Sequence, residues 1–142
     1  LSLATPLRDT APQIELYALT SYVGLLFADQ EFRKGCAIVD AHPQALTEDA
    51  LLDTPTFAGY RVLAAECASL THARKSAIRA SLVLATKAVD ALKRGSDREM
   101  LGLAYYVRGI IYANLGDVAA ARSDLQHAAD LGMKDAADLL NG

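Results

Sequence analysis

Residues 105–132, YYVRGIIYANLGDVAAARSDLQHAADLG, constrain the fold more than any other part of the chain. They have the periodicity of two helices joined by a tight Gly-Asp turn, yet Gly109 stands inside the first helix, where glycine costs about 1 kcal/mol relative to alanine. Close packing of a second helix against Gly109 would offset this cost. Ala121 and Ala128 are the small residues of the second helix that can approach it, and Tyr112 would cover the same seam. The segment therefore predicts an antiparallel helical hairpin.

The remainder of the chain is also expected to be helical. Apolar residues make up 52% of the 142 residues but aromatic residues only 6%, so the core must be built mostly from Ala, Leu, Val and Ile. No run of alternating apolar and polar residues is long enough to indicate a strand. We expect a single all-α domain, residues 1–142, in which a loose segment 1–11 precedes hairpins at 12–42, 55–94 and 97–132 and a capping helix at 134–140.

Individual residues mark the ends and the faces of these helices. Pro12 and Thr54-Pro55 are typical of helix starts. Ser96 and Glu99 have the spacing of a capping box, in which the serine side chain caps the helix. In the first helix, one apolar stripe has the spacing of the face that an amphipathic helix turns towards the core; it comprises Ile14, Tyr17, Ala18, Ser21, Tyr22, Leu25 and Leu26.

The segment 100–133 resembles a tetratricopeptide repeat (TPR). The matching positions are Tyr105, Gly109, Tyr112, Gly116, Asp117, Ala121, Leu125 and Ala128. Arg108 replaces the leucine of the family pattern, and Met133 stands where proline is common. The hairpins at 12–42 and 55–94 carry the pattern only in degenerate form. The resemblance implies a right-handed stack of antiparallel helical hairpins, an α-α superhelix, in which Arg108 pairs with Asp124 across the hairpin.

The resemblance also implies a binding groove. TPR proteins bind peptides or partner proteins in a concave groove that is lined by the first helix of each repeat. On the clear repeat, the groove positions are Leu103, Tyr106, Ile110, Ala113 and Asn114. Tyr106 would serve as an anchor and Asn114 as an amide that reads the peptide backbone. The alternative to binding is that these side chains pack against a neighbouring helix or against the capping helix.

No sequence motif indicates catalysis or a cofactor. The three histidines, His42, His72 and His127, have no second ligand at metal-binding spacing, and the chain has no HExxH, CxxC or phosphate-binding glycine loop. We therefore expect a protein that is not an enzyme and holds no metal. Cys36 and Cys67 are interpreted as free buried thiols, with a disulfide as the alternative if the protein is exported.

The net charge of −3 is unevenly distributed along the chain. Residues 71–95 carry six basic side chains and one acidic side chain, whereas residues 1–56 carry three basic and eight acidic ones. Residues 115–142 carry two basic and five acidic ones. The basic middle, with Arg74, Lys75, Arg79 and Lys87, indicates a solvated helix face, a surface for an acidic partner, or head-to-tail self-association with an acidic end. Nucleic acid is disfavoured because no aromatic side chains are interleaved with these charges.

These observations predict a protein–protein interaction module, an adaptor or scaffold, that binds a peptide or partner protein through the groove. The alternatives are a self-associating structural subunit and a binder of an anionic partner through the basic segment 71–95. No segment reaches the roughly 18 apolar residues that a membrane span requires. The chain starts without an initiator methionine or a signal peptide, so we expect it to have been trimmed, and a cytoplasmic or a periplasmic location stays open.

Overall fold

A computed structural model describes residues 11–47, 49–71 and 75–142. Every regular element in these ranges is helical, which confirms the all-α prediction. The elements are α1 (Ala11–Ala28), α2 (Phe32–Ala41), a 3-10 helix (Pro43–Thr47), α3 (Asp49–Leu52), α4 (Ala58–Thr71), α5 (Lys75–Lys93), α6 (Arg98–Asn114), α7 (Val118–Asp130) and α8 (Lys134–Asn141). Residues 1–10 of the segment predicted to be loose, together with His72 and Arg74, lie outside the described ranges.

The helices pair as three successive hairpins, α1–α2, α4–α5 and α6–α7, and α8 packs against α7. The first helices of the hairpins are neighbours, since α4 contacts both α1 and α6. The second helix of the middle hairpin, α5, contacts both α4 and α6. None of the described helices is both long and apolar enough to cross a membrane.

Helix α4 is shared by two apolar clusters and is therefore the centre of the fold. One of its sides, which includes Val62 and Ala65, joins a cluster with α5, α6, α7 and α8. Its other side, which includes Leu63 and Ala64, joins a second cluster with α1 and α2. Because α4 packs on both sides, nearly all of its residues from Ala58 to Cys67 are buried.

Glycine turns end α6 and α7 where the sequence predicts. Gly116 and Gly132 have φ values of +84° and +96°, a region that suits glycine. At the end of α6, the Gly116 N–H donates to the Ala113 carbonyl at 3.0 Å and the Asp117 N–H donates to the Tyr112 carbonyl at 2.9 Å. These two bonds form a Schellman motif, which satisfies carbonyls that the helix end leaves unpaired.

The N-terminal cap of α6 differs from the prediction. The Asp97 carboxylate, not the Ser96 hydroxyl, accepts the Met100 N–H at 3.0 Å, and the helix begins at Arg98. The capping box predicted from Ser96 and Glu99 is therefore wrong, because aspartate occupies the cap position one residue later and caps equally well.

The turn between α3 and α4 is fixed by one ion pair and one side-chain-to-backbone hydrogen bond that the sequence did not indicate. The helix predicted to start at Thr54-Pro55 begins at Ala58, because the Thr54 hydroxyl donates to the Leu51 carbonyl and so closes the preceding turn. Asp53 then accepts a hydrogen bond from Arg61, a residue of α4 that is almost fully buried. Arg94, after α5, donates to the Asp53 backbone carbonyl. The Arg61 guanidinium holds the pKa of Asp53 below its usual value.

Cys36 of α2 and Cys67 of α4 form a disulfide, so the interpretation as free thiols is wrong. Their Cα atoms are 5.4 Å apart, within the range that a disulfide requires. Both residues are buried in the cluster that joins α1, α2 and α4. The bond links the first hairpin covalently to the second across 31 positions of sequence.

Helix α1 exposes the face that its apolar spacing assigned to the core. Four of the large side chains of the predicted stripe, Ile14, Tyr17, Tyr22 and Leu25, are between 56% and 67% exposed. The core side of α1 is formed by Leu16, Val23 and Phe27, together with Leu26, which is the one large side chain of the predicted stripe that is buried. Helix α1 is apolar around most of its circumference, and helical periodicity alone cannot choose which face is buried in such a helix.

Candidate functional site

The α6–α7 hairpin sets the position of α6, which carries all five of the predicted groove residues. A Cβ atom placed on Gly109 would lie 3.1 Å from Leu125 Cγ and 3.3 Å from the Ala121 carbonyl oxygen. Both distances are shorter than ordinary van der Waals contact, so the two helices approach at this glycine. The side chain nearest to this position is Leu125, and the predicted partner Ala128 is buried in the same apolar cluster as Leu125.

A charged pair locks the same hairpin in register. Arg108 Nε donates to Asp124 Oδ2 at 2.7 Å, and its Nη2 donates to Oδ1 at 2.8 Å. The guanidinium also lies 5.7 Å from the Tyr105 ring centre and 5.9 Å from the Tyr112 ring centre. The hydrogen bond with Asp124 raises the pKa of Arg108. Because the pair is bidentate and Asp124 is buried, it fixes the rotation of α6 about its axis.

Gly109 and Arg108 lie on the face of α6 that packs against α7. Another face of α6 lines a cavity. Leu103, Tyr106 and Ile110 follow one another at spacings of three and four residues, which places them on one side of the helix. All three are partly buried, and all three line the cavity. Met100 and Val107 of the same helix also contribute to its wall.

The cavity has a volume of about 630 Å³ and lies among the first helices of the three hairpins. Besides the five residues of α6, three residues of α1 and three of α4 line it, namely Gly24, Phe27, Ala28 and Leu63, Glu66, Ser69. The remaining lining residues are Gln30, Phe32, Met133 and Asp135. Its volume falls within the range of roughly 300–1,000 Å³ that is typical of ligand sites, and its lining is mostly apolar with a few polar groups.

Two carboxylates and one phenol are the ionisable groups of this lining. Glu66 is largely buried, and burial raises its pKa to about 7. Tyr106 also has a raised pKa, first because it is buried and then because of the negative charges of Asp135 and Glu66. A carboxyl group whose pKa is perturbed because it is buried in a cleft is typical of binding sites as well as of catalytic sites.

The structure places the five predicted groove residues in two groups. Leu103, Tyr106 and Ile110 lie in the cavity wall, whereas Ala113 and Asn114 at the end of α6 are exposed and are not part of it. The residues that α1 and α4 contribute to this wall, Glu66 above all, were not predicted from the sequence. The apolar sequence of α4 contained the signal, since one acidic residue within a buried helix is unusual.

The basic segment forms a different surface. Arg79 and Lys87 are exposed on α5, with the exposed Val83 midway between them. Arg74 lies outside the described residues, and Lys75 is described only as the first residue of α5. Neither Arg79 nor Lys87 lines the cavity. Binding of an anionic partner at this surface stays a prediction.

The described histidines, His42 and His127, both have contacts within the fold. Within the described ranges, no group of three or more His, Cys, Asp or Glu side chains is placed to hold a metal ion. His127 stacks on Tyr105 with the ring centres 4.8 Å apart, and its Nδ1 donates to the Ser123 carbonyl at 2.8 Å. His42 Nδ1 donates to the Ile38 carbonyl at 2.9 Å. Both described histidines therefore have structural contacts within or beside their own helices.

Neither a protein-family model, nor a curated protein, nor a solved structure matches the chain. The function is therefore inferred from the cavity and the surfaces around it.

Proposed function

We propose that this protein is a TPR-like interaction module, without catalytic activity, that binds an apolar segment of a partner protein in the cavity among α1, α4 and α6. The observation that carries the proposal is the cavity itself, whose wall contains Leu103, Tyr106 and Ile110. These residues lie on the first helix of the third hairpin, where the TPR resemblance puts the peptide-binding face.

Two further features of the structure support a binding role. The disulfide and the Arg108–Asp124 pair fix helices on both sides of the cavity, so the site is largely formed before a ligand arrives. Preorganisation of this kind reduces the entropy lost on binding. Tyr106 combines a large apolar ring with a hydroxyl, which is the chemistry that dominates the energetics of many protein interfaces.

Affinity capture with matched variants tests the proposal. Immobilised wild-type protein, Tyr106→Ala and Asn114→Ala are exposed to the same lysate, and unfolding curves establish that each variant is folded. We expect a partner that is retained by wild type and by Asn114→Ala, since Asn114 lies outside the cavity wall, and lost by Tyr106→Ala. Equal retention by all three would reject the cavity as the binding site.

Self-association is a second candidate function, and the exposed face of α1 favours it. Ile14, Tyr17, Tyr22 and Leu25 form an apolar stripe along a helix that has one charged residue, Glu15. Two copies of α1 could bury these stripes against each other across a two-fold axis, as in other isologous contacts. Such a contact is apolar, whereas the head-to-tail contact predicted from the charge distribution joins an acidic end to the basic helix.

Light scattering at several protein concentrations separates these two modes of assembly. An α1 contact predicts a dimer that persists at high salt and is lost in Tyr17→Ser/Leu25→Ser. A head-to-tail contact predicts larger species that dissociate as salt screens the charges. A monomer at all concentrations would remove self-association from consideration.

A further inference from the structure

The described lining of the cavity is acidic. Fifteen residues line it in the described structure, and two of them, Glu66 and Asp135, have carboxyl side chains. No lysine, arginine or histidine contributes to this lining. The two carboxylates come from different helices, α4 and α8, and both influence the titration of Tyr106. They therefore act on the same region of the cavity.

Glu66 is an unusual residue to keep in such a wall. Its α4 neighbours in the cavity are Leu63 and Ser69, and the Ser69 hydroxyl donates to the Glu66 backbone carbonyl, not to the carboxylate. Among the described residues, no hydrogen bond or ion pair reaches the Glu66 carboxylate. Glu66 is partly buried, and a carboxyl group that is partly removed from water and has no partner destabilises the fold when it is ionised. A ligand that supplies a cation would remove this penalty.

We infer that the partner segment bound in this cavity carries a lysine or arginine beside apolar residues, and that its cation pairs with Glu66. The inference rests on the proposed function and specifies the chemistry of its ligand. The apolar walls from α1 and α6 accept the neighbouring side chains, while Phe27, Phe32 and Tyr106 provide aromatic surface for the aliphatic part of the basic residue. Asp135 adds a second negative charge on the α8 side.

A lysine or arginine is favoured over a neutral polar group because the binding free energy gained at Glu66 depends on the positive charge of the ligand. A charge-assisted hydrogen bond is roughly twice as strong as a neutral one, and a partly buried site strengthens it. An acidic segment would instead bring like charges together in a cavity that contains no cation among its described lining residues. Net attraction therefore selects a basic residue.

Selection from a phage-displayed library of random peptides tests the inference. The library is selected in parallel on wild type, Glu66→Gln, Tyr106→Ala and Glu99→Gln. The last variant is a matched control, because Glu99 is exposed on the first turn of α6 and does not line the cavity. We expect wild type and Glu99→Gln to enrich peptides with lysine or arginine next to apolar residues. Glu66→Gln should keep the apolar enrichment and lose the basic one.

Affinities of one enriched peptide give the quantitative form of the test. Replacement of its basic residue by glutamine should weaken binding to wild type by about tenfold or more, and should have little effect on binding to Glu66→Gln. Basic enrichment that survives in Glu66→Gln, or wild-type enrichment of apolar peptides without basic residues, overturns the inference but leaves the proposed function standing. If Tyr106→Ala selects the same peptides as wild type, the proposed function fails as well.

Discussion

Replacement of Gly109 by alanine measures how closely α6 and α7 approach. The added methyl group would lie 3.1 Å from Leu125 Cγ, 3.2 Å from Leu125 Cδ2 and 3.3 Å from the Ala121 carbonyl oxygen. Alanine gains about 1 kcal/mol of helix propensity over glycine, but overpacking of a fitted seam costs about 1–3 kcal/mol. We therefore expect Gly109→Ala to range from neutral to about 2 kcal/mol less stable than wild type. Gly109→Leu should be less stable than Gly109→Ala.

Gly102 provides a control on the same helix. It is buried like Gly109, but a Cβ atom there would meet only Leu131 Cβ, at an ordinary 3.5 Å. Gly102→Ala should therefore keep the propensity gain and stabilise the protein by about 0.5–1 kcal/mol. The two substitutions are chemically identical, so their difference reports packing alone.

Urea unfolding of the two variants and wild type, followed by circular dichroism, supplies the free energies. The double variant Gly109→Ala/Leu125→Ala adds a second check, because removal of the crowding side chain should make the two changes non-additive. If Gly109→Ala stabilises the protein as much as Gly102→Ala does, the close approach of α6 and α7 at Gly109 is refuted.

Three other outcomes follow from the structure. Reduction of the Cys36–Cys67 disulfide should lower the free energy of unfolding by about 3–4 kcal/mol, since it releases a loop of 31 positions; unfolding curves with and without reductant should differ, and coincident curves would argue against the bond. Tyr60→Phe should be neutral or stabilise by about 1 kcal/mol, because the Tyr60 hydroxyl is buried without a hydrogen-bond partner among the described residues; a clear loss of stability in thermal melts would mean that the hydroxyl is bonded. Glu66 has a pKa of about 7 in the folded protein and an ordinary value of 4.5, so the folded state binds the extra proton and its stability should fall by about 2–3 kcal/mol as the pH rises from 4.5 to 7. Subtraction of the stability–pH profile of Glu66→Gln from that of wild type isolates this change. If the two profiles were parallel, the Glu66 carboxyl group would be solvated.

The parts of the fold that the sequence predicts are those decided by neighbours in the chain. Gly116 and Asp117 determine a turn and a cap through local backbone chemistry, and each lies where the pattern indicates. The cap of α6 shows the limit of such patterns. Ser96 and Asp97 are both good caps, and the choice between them depends on how the connection from α5 enters the helix.

The parts that the sequence did not predict depend on which helices become neighbours. The pairing of Cys36 with Cys67 requires α2 and α4 to pack with these two residues opposite each other, and no local pattern encodes this. The buried face of α1 depends in the same way on the position of α4. Tyr17 and Leu25 satisfy helical apolar spacing as well as Leu16 and Val23 do.

The candidate site was predictable only in part for the same reason. Tyr106 and its neighbours on α6 follow from the repeat pattern of one hairpin, so they could be named from the sequence. Glu66 comes from the second hairpin, which has no clear pattern, and it reaches the cavity only because α4 lies between α1 and α6. Asp135 enters from α8, the helix that was predicted as a cap and not as part of a binding site.

The central claim is that ligands bind in the cavity and not on the exposed face of α1 or the basic face of α5. Methyl NMR spectra of the protein, recorded during titration with a peptide selected on wild type, test it most directly. The cavity predicts shifts at Leu63, Leu103, Ile110 and Met133, with Val83 of α5 unchanged. Shifts confined to Ile14 and Leu25 of α1, or centred on Val83, would contradict the claim and assign binding to another surface.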